Sequence, residues 1–121
     1  MRVAGFGFRD GTEIEALRAA LAAAGGGAVD ALASVAEKAE TPVMRELAAE
    51  LGVKVIALPV TALAGVETIT RSPRIVARFG TGSMAEEAAL CAAGPGARLL
   101  GPRAASPCGM AMAAIAERNS K

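Results

Sequence analysis

Short apolar runs alternate with amphipathic segments along most of this chain. Each run is four to seven residues long and is bounded by turn-forming residues, a pattern typical of buried strands. The strands predicted in this way are residues 2–8, 29–35, 53–58 and 97–100. The run 53–58 is the clearest of them, because it is rich in β-branched residues and Pro59 follows it.

The segments between these runs carry helix start and stop signals. Thr12 and Glu15 have the spacing of a capping box, and apolar residues then recur at helical spacing up to the glycines at 25–27. Thr41 followed by Pro42 predicts a second helix, which Gly52 ends. Between these two helices, residues 36–40 are predicted to form a polar loop.

Two further helices are predicted in the second half of the chain. The pair Ser72 and Pro73 starts a short helix that ends at Gly80. Ser83 and Glu86 form another capping box, and the helix that follows ends at the glycines and proline of residues 94–96. The last apolar segment, residues 109–116, suits either a helix or a central strand buried on both faces.

The alternation of strands and helices predicts an α/β fold. We expect a three-layer α/β/α arrangement around a mostly parallel or mixed sheet of about five strands. The length of 121 residues is that of one domain, so residues 1–121 are predicted to fold as a single unit. The chain contains no internal repeat and no low-complexity tail.

Composition excludes several classes of partner. Although 53% of the residues are hydrophobic, no apolar run reaches the roughly 18 residues of a membrane-spanning helix. The first residues lack the pattern of a secretory signal, so we expect a cytoplasmic protein. The formal net charge is +1, and Trp and Tyr are absent, so neither the basic surface nor the stacking side chains of a nucleic-acid-binding protein are present.

The absence of histidine excludes much of enzyme chemistry. No His general base, Ser-His-Asp triad or His metal ligand is available. Cys91 and Cys108 lack zinc-site spacing, so they are predicted to be buried, reduced thiols, and we expect no metal and no cofactor. Acid–base chemistry would have to come from carboxylates, Lys, Cys or the substrate.

Three segments have the composition of ligand-binding loops at the carboxyl ends of strands, where α/β sheets bind their ligands. The first contains Gly5, Gly7 and Arg9, the second contains Lys38, and the third begins the helix at 83. The candidate residues of this third segment are Gly80, Thr81, Gly82, Ser83 and Glu86. Glycines permit close backbone approach, helix amides attract anions, and Arg or Lys can bind a carboxylate.

Each of these signals also has a purely structural interpretation. The first segment can be a tight turn beside a surface Arg, and its glycine spacing departs from the dinucleotide-binding fingerprint. Lys38 can be a solvated loop lysine. Ser83 and Glu86 can simply cap the corner between two helices.

Several segments, taken in order, resemble the CobE family, which corresponds to the C-terminal part of CbiG. Residues 80–90 (GTGSMAEEAAL) are similar to a G-x-x-S-V-A-E-A-A-A-L segment of that family, and residues 3–11 to its first strand and G-x-G-x-R-x-G turn. Residues 32–38 and the apolar segments 99–100 and 111–116 also match in order. Arg103 stands where the family usually carries Lys, and a hydroxyl of the last strand is replaced around Met110 or Met112.

The resemblance implies an α/β/α fold, a final strand at 111–116 and a place in the construction of the corrin ring. It adds Arg103 to the candidate ligand-binding residues. We expect the protein to bind a corrinoid or precorrin intermediate as a carrier or chaperone of the aerobic pathway, with other cobalamin-pathway enzymes as its protein partners. Two alternatives remain: a precorrin-modifying enzyme similar to a lactone hydrolase, using Glu86 or Lys38, and a small flavodoxin-like ligand-binding module.

Overall fold

A computed structural model describes residues 1–26, 28–59, 84–94, 96–101 and 103–118. In chain order the elements are β1 (Arg2–Phe8), α1 (Ile14–Ala23), β2 (Ala31–Val35), α2 (Ala36–Ala39), α3 (Pro42–Leu51), β3 (Lys54–Leu58), α4 (Met84–Ala93), β4 (Arg98–Leu99), β5 (Ala104–Ala105) and β6 (Ala111–Glu117). The helix predicted from Ser72 and Pro73 lies outside the described residues.

The strands form one mixed sheet in the order β3-β2-β1-β6-β4, with β5 also paired to β6. Strands β1, β2 and β3 are parallel, whereas β6 runs antiparallel to β1 and to both β4 and β5. β1 therefore lies at the centre of the sheet. The chain places β2 and β3 on one side of β1 and the later strands on the other, so β1 borders a topological switch point. The sheet confirms the predicted fold class, and residues 111–117 form a strand, as the family resemblance implied.

Two apolar clusters cover the two faces of the sheet. One contains Ala4 and Phe6 of β1 with Leu17 of α1 and Leu47 of α3. The other contains Val3 of β1 with Ala88 and Ala89 of α4. Because neighbouring β1 residues point to opposite faces, α1 and α3 cover one side and α4 covers the other. This is the three-layer arrangement that the alternating pattern predicts.

Two local predictions are wrong. The first residue of α1 is preceded by Glu13 at the N-cap, and the Thr12 hydroxyl donates to the Arg9 carbonyl oxygen at 2.6 Å instead of capping the helix. Residues 36–39 form a short helix, not a loop. The Thr12 hydroxyl bonds within the turn after β1 because a Thr side chain can hydrogen-bond to a nearby turn carbonyl as readily as to the amides of a helix start.

The second helix start is confirmed. Thr41 is the N-cap of α3 and Pro42 is its first residue, as predicted. The Thr41 hydroxyl, however, donates to the Lys38 carbonyl oxygen at 2.6 Å, so it closes the end of α2. Gly52 ends α3 with φ of 70°, a left-handed conformation that favours glycine.

None of the helices in the described ranges is long and apolar enough to cross a membrane.

Candidate functional site

The parallel strands β1, β2 and β3 all end at the same edge of the sheet, because parallel neighbours share their direction. The first turn after β1 contains Arg9, Asp10 and Gly11, and α2 follows β2 directly. The backbone N–H of Arg9 donates to the Met110 carbonyl oxygen at 3.0 Å, so the turn that precedes β6 lies at this edge too. We call this set of turns the carboxyl edge.

Lys38 is the central cation of the carboxyl edge. Its side chain is only 11% exposed, and its Nζ lies 2.6 Å from Oδ1 of Asp10. The same nitrogen lies 5.3 Å from the centroid of the Phe8 ring, within the range of a cation–π interaction. The sequence placed Lys38 in a predicted polar loop, whereas the residue lies in α2 with its side chain largely buried.

Arg9 lies on the same edge and is exposed. Its backbone is held at both sides, since its N–H donates to Met110 and its carbonyl oxygen accepts from the amide and hydroxyl of Thr12. The guanidinium is therefore carried by a fixed turn immediately after the central strand. Arg9 and Lys38 are the cations of the segments that follow β1 and β2, where α/β sheets bind ligands, and Asp10 and Glu37 are the carboxylates of the same two segments.

The other predicted residues are distributed over different parts of the fold. Gly5 and Gly7 lie within β1 and face α4: a Cβ on Gly5 would come within 2.1 Å of the Ala85 oxygen, and one on Gly7 within 3.2 Å of the Met84 Cβ. Their absence of a side chain lets the helix approach the sheet. Residues Gly80, Thr81, Gly82 and Ser83 lie outside the described residues.

Glu86 and Arg103 meet at the side of the sheet. The carboxylate Oε2 of Glu86 accepts a hydrogen bond of 2.9 Å from the backbone N–H of Arg103, and Glu86 is fully buried. Arg103 precedes β5, which pairs with Met112 and Ala113 near the start of β6. This bond ties Arg103 to the first turn of α4, so Glu86 holds a structural position on the face of the sheet that α4 covers.

A surface cleft of about 440 Å³ lies between α1 and the turn that joins β5 to β6. It is lined by Gly11, Glu13, Glu15, Ala16, Ala19, Ser106, Pro107, Cys108 and Met110. The wall is largely apolar, but its charged residues are the carboxylates Glu13 and Glu15. Those charges disfavour an acidic group in the cleft itself, so Arg9 and Lys38 are the better anion-binding groups of this edge.

The prediction of two buried thiols is wrong for Cys108, which is exposed, while Cys91 is half-buried. Cys108 lies in a turn closed by a 2.9 Å hydrogen bond from the Gly109 N–H to the Ser106 carbonyl oxygen. The Ser106 hydroxyl, 3.3 Å from the Cys108 sulfur, and then the backbone at Met110 lower the pKa of the Cys108 thiol from its ordinary value. Apolar character alone did not reveal this exposure, because the Pro107–Gly109 turn places the residue at its tip.

Asp10 and Phe8 are site residues that sequence analysis did not identify. Asp10 was visible only as a turn residue, and Phe8 only as the end of a strand. The sole local signal was their position, at and just after the end of the central strand. Among the described residues, no group of three or more Cys, Asp or Glu side chains is arranged to hold a metal ion.

Comparisons with known proteins agree on one family. Residues 2–116 match the family model described as "Cobalamin synthesis G C-terminus". The crystal structure of CobE, a protein from the cobalamin biosynthetic pathway, matches with a TM-score of 0.84 and 32% identity over 100% of this chain and 92% of that one. The structure of the cobalamin biosynthesis protein chiG from Agrobacterium tumefaciens matches with a TM-score of 0.73 and 32% identity, covering 99% of this chain and 100% of that one. No curated protein matches the chain.

Proposed function

We propose a function for this protein from the premise that the chain belongs to the cobalamin synthesis G C-terminus family. The proposal is that it binds a corrinoid or precorrin intermediate at the carboxyl edge and acts as a carrier between the enzymes of cobalamin biosynthesis. Corrin intermediates carry many acetate and propionate groups around an apolar macrocycle. A protein that binds one needs cations for the carboxylates and an apolar surface for the ring.

The observation that carries the proposal is the placement of Lys38. An ammonium group with only 11% of its side chain exposed is held over the Phe8 ring at the end of the central strand. Arg9 follows that strand directly and presents a second cation. The largely apolar cleft on the α1 side of the same turn supplies a surface that a macrocycle can cover.

Titration of the purified protein with a metal-free corrinoid acid, followed by visible absorption, tests this proposal. We expect a saturable spectral shift with one equivalent and no product. The double variant R9A/K38A is expected to bind at least about tenfold more weakly, because a hydrogen bond to a charged group contributes about 1.5–3 kcal/mol and about 1.4 kcal/mol is a factor of ten.

The matched control is the double variant K54A/R98A. It removes one Lys and one Arg as well, but from the opposite end of the sheet, where Lys54 begins β3 and Arg98 begins β4. Its affinity is expected to equal that of the unmodified protein. Equal loss in both double variants would indicate general charge attraction and contradict binding at the carboxyl edge.

The same titration separates the two alternatives. A spectrum that continues to change with time, with acetaldehyde released, would indicate a precorrin-modifying enzyme. In that case Glu86 is a poor candidate for the reacting group, because it is fully buried and bonded to the Arg103 amide. Retention of a flavin or nucleotide through purification, with no response to the corrinoid, would indicate a flavodoxin-like module.

A further inference from the structure

The ion pair at the carboxyl edge is strongly asymmetric. The Lys38 side chain is 11% exposed, whereas that of its partner Asp10 is 95% exposed, although the two polar atoms lie only 2.6 Å apart. The ammonium is thus held from inside the fold by α2 and Phe8, and the carboxylate reaches it from solvent. The Lys38 ammonium is therefore held in a buried position, whereas the Asp10 carboxylate is exposed to solvent.

The backbone on both sides of Asp10 is anchored independently of this pair. The Arg9 N–H is bonded to Met110, and the Thr12 amide and hydroxyl both donate to the Arg9 carbonyl oxygen. Gly11, with φ of 80°, completes the turn. These bonds of the turn do not use the Asp10 carboxylate, so the ion pair with Lys38 can open while they stay in place.

We propose that Asp10 is an internal competitor, which occupies the place on Lys38 that a carboxylate of the bound ligand takes over. This inference rests on the proposed function and specifies its ligand class. A ring with free carboxylates can replace Asp10 and still neutralise the ammonium. A ring whose side chains are amides cannot, because a neutral amide would leave Lys38 without an anion.

The competition has a measurable consequence for affinity. Ligand binding must first break an ion pair whose carboxylate is open to solvent, and solvent screening on that side weakens the pair. Asp10→Asn removes the competing charge and keeps a hydrogen-bonding side chain of the same shape. We expect this variant to bind the metal-free corrinoid acid about two- to fivefold more tightly, in proportion to the strength of a solvent-exposed pair.

Asp30→Asn is the matched control. It makes the same chemical change at the opposite end of the sheet, where the Asp30 carboxylate accepts a hydrogen bond of 2.7 Å from the Arg2 N–H. The affinity of this variant is expected to stay unchanged. The gain from Asp10→Asn should also disappear when Lys38 is replaced by Gln, and the fully amidated corrinoid should show no gain in any variant.

A second measurement tests the role of Asp10 even if the unmodified protein binds no corrinoid. The amine of Lys38 is labelled with a lysine-acylating reagent, and the product is quantified by peptide mass spectrometry. Asp10→Ala is expected to label at least twofold faster, because it uncovers the solvent side of the amine, and citrate should slow that labelling again. Labelling that is unchanged in Asp10→Ala would overturn the inference.

The two proposals fail in distinguishable ways. If the unmodified protein binds the corrinoid acid and Asp10→Asn binds it equally or less tightly, the internal competitor is wrong and the carrier function stands. If nothing binds but Asp10→Ala exposes Lys38 and citrate protects it, the carrier function is wrong and the competitor stands for a different polycarboxylate.

Discussion

Cys108 shows how a single side chain acquires its properties from the turn that carries it. The residue follows Pro107 in the turn between β5 and β6 and is exposed, while the Ser106 hydroxyl and the Met110 backbone stabilise its thiolate. Ser106 itself is buried, and its hydroxyl oxygen also accepts a 3.2 Å hydrogen bond from the Ala111 N–H. The donor that tunes the thiol is therefore fixed in place by the start of β6.

We expect Cys108 to react with a thiol reagent at lower pH than an ordinary cysteine. Since the thiolate is the nucleophile, the labelling rate should rise with an inflection below the usual thiol pKa. Ser106→Ala removes the largest cause of the lowered pKa and should move the inflection upward. Stopped-flow labelling across pH measures this.

Two controls make the thiol prediction specific. Cys91→Ser should leave the fast phase intact and Cys108→Ser should remove it, because only Cys108 is exposed. The unfolding midpoint of Ser106→Ala must be recorded, since the change also removes the bond to Ala111. A folded Ser106→Ala protein with an unchanged inflection would show that the hydroxyl does not tune the thiol.

At the scale of elements, the contact between α4 and β1 determines how closely the two layers approach. Gly5 faces backbone atoms of the helix, so a Cβ there would lie 2.1 Å from the Ala85 oxygen and 2.5 Å from the Ala89 nitrogen. Backbone atoms of a helix cannot move aside individually. Any side chain at position 5 must therefore shift α4 as a unit.

Gly5→Ala is expected to destabilise the protein by about 1–3 kcal/mol or more, the usual cost of overpacking a core. The measurement is the free energy of unfolding in urea. Gly101→Ala is the control, because a Cβ at Gly101 meets no atom within 4 Å; it should stay within about 0.5 kcal/mol of the unmodified protein. Equal stability of the two variants would contradict the close contact with α4.

The helices also show which of their start and end signals can be predicted from neighbouring residues alone. Pro42 and Gly52 bound α3 as predicted, because a fixed φ and a left-handed φ are properties of single residues. The Thr12 hydroxyl was predicted to cap a helix and instead bonds to the carbonyl oxygen three residues before it, as the Thr41 hydroxyl also does. A hydroxyl has several possible acceptors nearby, and the path of the preceding turn decides among them.

At the scale of the whole molecule, Glu117 joins the ends of three strands. Its carboxylate lies 2.9 Å from Nε of Arg2 and 3.7 Å from a terminal nitrogen of Arg98, which begin β1 and β4. The hydrogen bond from Arg2 lowers the pKa of Glu117. On the face of the sheet that α1 and α3 cover, a hydrogen bond from Arg18 of α1 likewise lowers the pKa of Glu50 of α3.

These shifts predict a loss of stability in acid. A carboxyl group whose pKa is lower in the folded than in the unfolded state stabilises the fold above the unfolded-state pKa. That contribution disappears as pH falls through the lower, folded-state value. The urea midpoint of the unmodified protein should therefore decrease when the pH is lowered below the ordinary titration range of glutamate.

Glu117→Gln isolates one of these groups. Its urea midpoint should lie below that of the unmodified protein at pH 7, and the two midpoints should converge as pH falls through the lowered pKa of folded Glu117. High salt should reduce the difference at pH 7, because the pairs are exposed to solvent. Glu40→Gln, at an exposed position after α2, is the control for the change in charge. A difference that persists in acid would contradict the role of the Glu117 charge.

The sequence by itself determined the strands β1 and β3, the bounds of α3 and the three-layer class. Each of these depends on residues adjacent in the chain, such as an unbroken apolar run or a terminal proline and glycine. The basic character of Arg9 and Lys38 was likewise visible before the fold was known.

Tertiary structure decided everything that depends on residues distant in the chain. Lys38 and Asp10 are 28 positions apart in the chain, and Glu86 and Arg103 are 17 positions apart. Gly5 of β1 likewise contacts Ala85 of α4, which lies in the second half of the chain. The residues of β6 form a central strand because β1, β4 and β5 pair with them. Local propensity was equally consistent with a helix there, since burial on both faces removes the alternating pattern that marks a half-buried strand.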